Sequence, residues 1–417
     1  TLAAKLSEKI TVYGLETNPS VLASISKGKA HFFEPGLDEV VSKSVLAEKL
    51  IPISTIEELP DGVANFIITV GTPLTGGEIN LESIERAVTE ISKKVSDESL
   101  IVIRSTVGIG VTRSNVLGHF QRRKGLRPHV AMCPERTVEG RALEELATLP
   151  QIIGADSEFA RDMAVKLFSH VGCPIEIVSS LETAEAIKLV ANTYRDVQFA
   201  FANEVALFSE AIGVDSREVI SASNRGYPRS TIARPGLTGG PCLEKDPWIY
   251  ARSGEVAGIN TEIAKAARRT HESIIPQTMS KITDLYGDYP DQPSGILIAG
   301  LAFKGNPPTS DIRGSLAHAL VSNLAVEHPT APVLGLDPLV SDEDATLMGV
   351  VLTRRLEEKI SECRLMLIQN DNPQMISQIR EYLSGNKTWH GAIFDFSGAL
   401  DFPSTDVVKY VRFGQGA

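Results

Sequence analysis

Short apolar runs recur along the chain, and nearly every one is followed by a loop and then by a stretch with helical spacing. Ile10 to Leu15, Asn65 to Val70, Leu100 to Ile103, Val130 to Cys133 and Gln151 to Gly154 read as strands in the first half. Gly295 to Leu301, Val333 to Leu336 and Leu365 to Ile368 read the same way in the second. Helices are expected over 19–27, over 81–94 and, with neither Gly nor Pro to interrupt it, from Leu181 to Ile212. Ser179 and Glu182 suit a capping box before that long helix, and Gly213 suits a stop after it. Along it Val190, Val197, Phe201, Val205 and Phe208 are expected to pack, while Glu185, Lys188 and Asn192 share a face at i, i+3 and i+7. Further helices run to about Tyr286, and the Asp- and Pro-rich stretch from Asp288 to Ser294 reads as a linker. Strands alternating with helices imply parallel sheets, so the fold class is α/β with a helical middle.

At 417 residues the chain exceeds what one core supports, and two or three domains are expected. With 42% hydrophobic and 22% charged residues it is globular, and no apolar run approaches the ~20 residues of a membrane span. The net charge of −11 and the lack of a basic stripe argue against nucleic acid as a partner. Cys133, Cys173, Cys242 and Cys363 lie far apart without a C-x-x-C pair, which suggests no metal site and fits a reduced, cytoplasmic setting.

Chemistry concentrates in Thr238-Gly239-Gly240-Pro241-Cys242-Leu243-Glu244-Lys245-Asp246. A thiol is a strong nucleophile where cations favour the thiolate, glycines let backbone approach a ligand, and Asp246 can position a base or a water. The same pieces also make an ordinary turn holding a small apolar cysteine. Lys188 and Asn192, among apolar neighbours, are candidates to stabilise an oxyanion, although a helical lysine is normally a solvated charge. Glu135 and Glu139 sit in a loop after a strand, where open α/β sheets bind ligands but where glutamates are also commonly just solvated. Glu16 ends a strand, as does the acid that bonds the ribose in a dinucleotide fold, and an acid there favours NAD over NADP. Counting back about 20 residues to the accompanying glycine loop lands before Thr1, so that loop is expected either to lie upstream of this chain or to have been lost.

Taken together, V-Y-G-L-E-T-N-P at 12–19, F-E-P-G-L at 33–37, V-G-T-P at 70–73, S-T-V at 105–107, C-P-E-R-T-V-E-G at 133–140, K-L-V-A-N-T-Y-R-D at 188–196, G-G-P-C-L-E-K-D at 239–246 and G-L-A-F-K at 300–304 resemble the nucleotide-sugar 6-dehydrogenases. The resemblance implies two Rossmann-like doubly wound parallel-sheet domains joined by a central helical domain with one long helix. Residues 1–178 would bind NAD, 179–290 would form a dimerisation domain carrying catalytic residues, and 291–417 would bind the UDP moiety. It implies NAD-dependent four-electron oxidation of a UDP-hexose to the uronic acid in a homodimer, with the site in the cleft and no membrane or nucleic-acid partner. Cys242 would be the nucleophile, Lys188 and Asn192 would hold the oxyanion, and Asp246 would orient Lys188 or a water. Glu135 and Thr106 would serve hydrolysis, with Glu16, Gly71, Thr72, Pro73, Thr106 and Glu139 on the cofactor. Glu135, Arg136, Lys188, Gly239, Gly240, Lys304 and Arg313 would meet the substrate, Arg313 across a dimer interface.

The 305–314 stretch is longer than the family spacing, and Gly314 stands where a Glu is expected. The E-R-T-V-E-G and N-T-Y-R-D stretches look most like the branch acting on UDP-N-acetylhexosamines, UDP-N-acetylmannosamine above all. UDP-glucose oxidation and a non-catalytic nucleotide-sugar-binding relative are the alternatives.

Overall fold

A computed structural model of the chain describes residues 1–385 and 389–416. It divides into two compact units, Thr1–Asn192 with Trp248–Asn260 and Thr193–Pro247 with Thr261–Ala417.

In the first unit, strands Asn65–Ile68, Leu100–Ile103, His129–Met132, Gln151–Ala155 and Ile175–Ile177 lie side by side in that order. Leu100, Ile101, Val102 and Ile103 are fully buried, as expected of a strand covered on both faces, whose sequence is apolar throughout rather than alternating. All pairings are parallel except that of His129–Met132 with Gln151–Ala155, so this sheet is mixed where an all-parallel one was expected. A separate parallel pair joins Val12–Leu15 to Leu50–Ile53. The helix after Val12–Leu15 begins where Asn18 accepts the Ser20 N–H at 3.0 Å, with Pro19 in the first turn where its missing N–H costs nothing.

The second unit holds a six-stranded, wholly parallel sheet. Its spatial order is Val351–Thr353, Val333–Leu336, Gly295–Ala299, Cys363–Ile368, Gly391–Asp395, Val408–Arg412. Numbered along the chain this is 3-2-1-4-5-6, the doubly wound arrangement in which ligands meet the carboxyl ends of the strands. The fold is thus α/β with a central helical stretch, namely Leu181–Ala211, Ser216–Asn224, Asp246–Val256 and Glu262–Gly287.

The long helix differs from expectation in two respects. Its cap is Ser180, whose Oγ accepts the Thr183 N–H at 3.1 Å, while Glu182 leaves the cap to bind Arg113 at 2.6 Å. Its large apolar side chains are not all core: Val197 and Val205 are half-buried, but Val190, Phe201 and Phe208 are exposed, as is Tyr194. Helical periodicity identifies an apolar face without saying what covers it.

Candidate active site

The first unit gathers its candidate residues on loops leaving parallel strands. Arg104 follows the buried strand Leu100–Ile103 and is itself only 4% exposed. Its Nε and Nη2 both donate to Glu135 Oε2, at 3.0 and 2.7 Å, and its Nη1 donates to Gln151 Oε1 at 2.7 Å and to the Cys133 carbonyl at 3.2 Å. Glu135 Oε1 accepts the N–H groups of Arg136 and Thr137 at 2.8 and 2.9 Å. Burial pushes the Glu135 pKa up, but Arg104 and the Thr137 N–H outweigh it and hold the carboxyl at about 2. It is a fixed, half-buried carboxylate.

The neighbouring loops are tied together. Thr72 Oγ1 donates to the Thr106 carbonyl at 2.6 Å, and Ser105 Oγ donates to the Val70 carbonyl at 2.6 Å. Thr72 is buried, whereas Gly71 and Pro73 are exposed and Thr106 is half-buried. Glu34, 6% exposed, accepts the N–H groups of Gly140 and Ala142, both at 2.7 Å, and so docks the F-E-P-G turn onto the loop bearing half-buried Glu139. Glu16 ends Val12–Leu15, its N–H bonded to the Ile53 carbonyl and its Oε1 accepting the Asn18 N–H at 2.8 Å.

Glu185, Lys188 and Asn192 are all buried on the first-unit portion of the long helix, at 1%, 7% and 8% exposure. Glu185 accepts the Gly110 N–H at 2.6 Å and the Thr112 N–H at 2.8 Å, serving the start of the π-helical stretch Thr112–Leu117. Burial raises its pKa.

The second unit presents Cys242. Of the four cysteines it is the exposed one; Cys133 and Cys363 are buried, which pushes each thiol up to about 12, and half-buried Cys173 is raised as well. Gly240 donates to the Gly314 carbonyl at 2.9 Å. A Cβ on Gly239 would collide with that same carbonyl oxygen, and one on Gly240, at φ +98, with the Phe303 ring. Only glycines let these two backbones lie so close. Gly314 has φ +63, and a Cβ there would also crowd the Gly240 backbone at 3.0 Å, which accounts for glycine at that position here. The Cys242 carbonyl accepts the Asp246 N–H at 2.9 Å, and buried Asp246 Oδ1 accepts from Lys245 Nζ at 2.7 Å. Lys304 lies over the Phe303 ring at 5.4 Å, and exposed Arg313 is bidentate on Asp311, with Nη2 2.6 Å from Oδ2. Cys242 and Asp246 thus belong to the second unit, and Lys188 and Asn192 to the first.

The sequence reading passed over the buried groups behind the cysteine loop. Arg268 Nη1 donates to Asp196 Oδ1 at 2.8 Å and to the Leu243 carbonyl at 3.0 Å. The Asn203 amide pairs with Gly236 in both directions, at 2.8 and 3.0 Å. Asp196 closes the N-T-Y-R-D motif, and Arg268 and His271 lie one helical turn apart on Glu262–Gly287.

Residues 1–172 match the NAD-binding domain of the UDP-glucose/GDP-mannose dehydrogenase family, and residues 182–273 match its central domain. The UDP-N-acetyl-D-mannosamine dehydrogenase of Campylobacter jejuni is 32% identical over 86% of this chain and 89% of its own. The structure of the corresponding enzyme of Pyrococcus horikoshii superposes with a TM-score of 0.86 at 29% identity, covering 99% of this chain and 96% of that one. A UDP-glucose dehydrogenase from Pyrobaculum islandicum superposes at 0.85 with 25% identity, covering 100% and 95%.

Proposed function

The chain belongs to the UDP-glucose/GDP-mannose dehydrogenase family, and from that premise we propose that it oxidises the C6 hydroxyl of a UDP-N-acetylhexosamine, UDP-N-acetylmannosamine above all, to the uronic acid with NAD. The observation that carries this reading is an exposed thiol on a glycine-built loop in a chain whose 32%-identical relative is a UDP-N-acetyl-D-mannosamine dehydrogenase.

The donor set suits NAD: Glu16 ends a parallel strand with its carboxylate oriented by the Asn18 N–H, where an acid accepts from ribose hydroxyls and repels a 2′-phosphate. When bound, NAD supplies an acceptor for one hydride in each half-reaction. The C6 hydroxyl loses its proton to a base and a hydride from carbon, giving the aldehyde. The Cys242 thiolate adds to the aldehyde carbon and the oxygen takes up a proton. The resulting thiohemiacetal loses its hydroxyl proton to a base together with a second hydride from carbon to become a thioester. Water then attacks, the carbon–sulfur bond breaks, and carboxylate and thiol are released. One alcohol and one water become one carboxylate, with four electrons delivered to two NAD.

In this scheme Lys188 serves as base or cation and, with Asn192, carries the charge on oxygen. Asp246 orients Lys188 or a water, and Glu135 with Thr106 serves the hydrolytic step. Held as a carboxylate with a pKa of about 2 by Arg104, Glu135 is too weak a base to take a proton from water, and its part in the hydrolytic step is to accept a hydrogen bond from the attacking water and orient it. Gly71, Thr72, Pro73 and Glu139 are assigned to the cofactor, and Arg136, Gly239, Gly240, Lys304 and Arg313 to the sugar nucleotide.

We place the enzyme in the cytoplasm as a homodimer. Among the described residues no helix is long and apolar enough to cross a membrane. Tyr194, Phe201 and Phe208, 61%, 52% and 62% exposed, repeat every seven residues along one side of the long helix and, with Ile212 just past its end, form the surface that a second copy would cover.

The test is NADH formed per sugar nucleotide consumed, with UDP-N-acetylmannosamine, UDP-N-acetylglucosamine and UDP-glucose, for wild type and Cys242→Ala. Two NADH per N-acetylhexosamine, with the variant unable to form the acid, is the expected result. Turnover of UDP-glucose alone moves the substrate to the other reading, and acid formation by Cys242→Ala rules out the thioester.

A further inference from the structure

The loop that presents Cys242 is anchored from behind by side chains that belong to none of the roles above. At its start, Asn203 Oδ1 accepts the Gly236 N–H at 2.8 Å and Asn203 Nδ2 donates to the Gly236 carbonyl at 3.0 Å. Just past the thiol, Arg268 Nη1 donates to the Leu243 carbonyl at 3.0 Å while holding Asp196 Oδ1 at 2.8 Å.

His271 joins the two anchors. Its Nε2 faces the Asp196 carbonyl at 3.1 Å and Asp196 Oδ1 at 3.3 Å, and its Nδ1 faces Asn203 Nδ2 at 3.3 Å. The Asn203 amide is oriented by its double bond to Gly236, so Nδ1 accepts and Nε2 carries the proton. All four side chains are buried: Asp196 and Asn203 at 0%, His271 at 2% and Arg268 at 5%. Buried hydrogen bonds of this kind are directional and each depends on its neighbours, so the network sets where the loop backbone sits, not merely that it is covered.

We propose that Arg268 and Asn203, coupled through Asp196 and His271, are positioning residues that fix both ends of the Cys242 loop and thereby the attack of the thiolate on the aldehyde. The proposal rests on the thioester reading given above. Neither residue is asked to touch substrate. Their effect falls on thiol addition, because the first hydride loss precedes any bond to sulfur.

Two variants probe the two ends in the full-length protein. Arg268→Lys keeps a cation but is shorter, so it withdraws the single nitrogen, Nη1, that donates to both Asp196 and the Leu243 carbonyl. Asn203→Asp is nearly isosteric yet sets an oxygen against the Gly236 carbonyl. For each, acid formation, KM for both substrates, aldehyde trapped by semicarbazide, thermal unfolding, and the rate of Cys242 alkylation by iodoacetamide are measured.

Expected are a fall in kcat for acid of about tenfold or more with KM unchanged, trapped aldehyde that wild type does not release, and an alkylation rate changed several-fold in the folded state but not in urea. A variant that unfolds early is set aside for the other, since they lie on different helices. Folded variants with wild-type kcat, no trapped aldehyde and wild-type alkylation overturn the proposal. The alkylation comparison needs no substrate, so it still decides the matter if wild type oxidises none of the UDP-sugars.

Discussion

Gly239→Ala replaces one hydrogen by a methyl at the point where the cysteine loop lies on the backbone of Gly314. The new Cβ would overlap the Gly314 carbonyl oxygen, and that oxygen also accepts the Gly240 N–H at 2.9 Å. Neither neighbour is a flexible side-chain tip, so the two backbones must separate by about an ångström to restore van der Waals contact. The 2.9 Å hydrogen bond then lengthens beyond useful range. Losing it costs about 1 kcal/mol, and residual overpacking about 1–3 kcal/mol. Thermal unfolding should fall by on the order of 5 °C. A one-ångström displacement of a reacting group costs roughly 100-fold, equivalent to about 2.7 kcal/mol of transition-state stabilisation. NADH production under limiting sugar nucleotide reads this loss directly as kcat/KM. Gly287→Ala is the control, since its Cβ meets nothing within 4 Å and its backbone is not left-handed; at the end of the helix Glu262–Gly287 it should leave kcat/KM unchanged and melting unchanged or slightly raised. A Gly239→Ala enzyme with wild-type melting and kcat/KM would show that the two backbones are not in the contact described, and the reasoning would fall.

Two further outcomes follow from the geometry. Glu135 has a folded pKa of about 2 against an ordinary 4.5, so its contribution to stability is fully present above about pH 4.5 and is lost as pH falls towards 2. Replacing Arg104 by Met leaves burial unopposed by the cation and raises the folded pKa, so the stability that Glu135 contributes above about pH 4.5, and its loss on acidification, should shrink while the acid limb of the kcat profile moves to higher pH; an unmoved limb would remove Glu135 from the hydrolytic step. The proposed homodimer is tested by light scattering: wild type should be a dimer, and Phe201→Glu together with Phe208→Glu on the long helix should weaken association by about 100-fold or more, with unfolding temperature measured alongside; a monomeric wild type would overturn the proposal, and a double variant that stays dimeric would place the interface elsewhere.

Strands such as Leu100–Ile103 and Gly295–Ala299 were legible because a strand covered on both faces is apolar throughout. Ile175–Ile177 and Val351–Thr353 were not, being three-residue edge segments with too few positions to show any period. Of the candidate site, the thiol and its glycines were readable as local chemistry. The buried groups behind them were not: Arg268 meets Asp196 from 72 positions away and Arg104 meets Glu135 from 31, and no local spacing marks a cation as destined for burial. Phe201 and Phe208 show the converse limit, since an apolar stripe reads the same whether the chain covers it itself or leaves it exposed.

The helix Leu181–Ala211 carries Lys188 and Asn192, then Asp196 and Asn203, on one uninterrupted run of backbone. Removing a single residue between Asn192 and Asp196 would swing every later side chain by about 100° with respect to the earlier ones and shift it by about 1.5 Å. No combination of local rotamer changes compensates a rotation of that size. Insertions and deletions among relatives are therefore expected outside this segment, at surface turns such as the Gly76-Gly77 hairpin tip. The segment should behave as a fixed ruler in any alignment of the family.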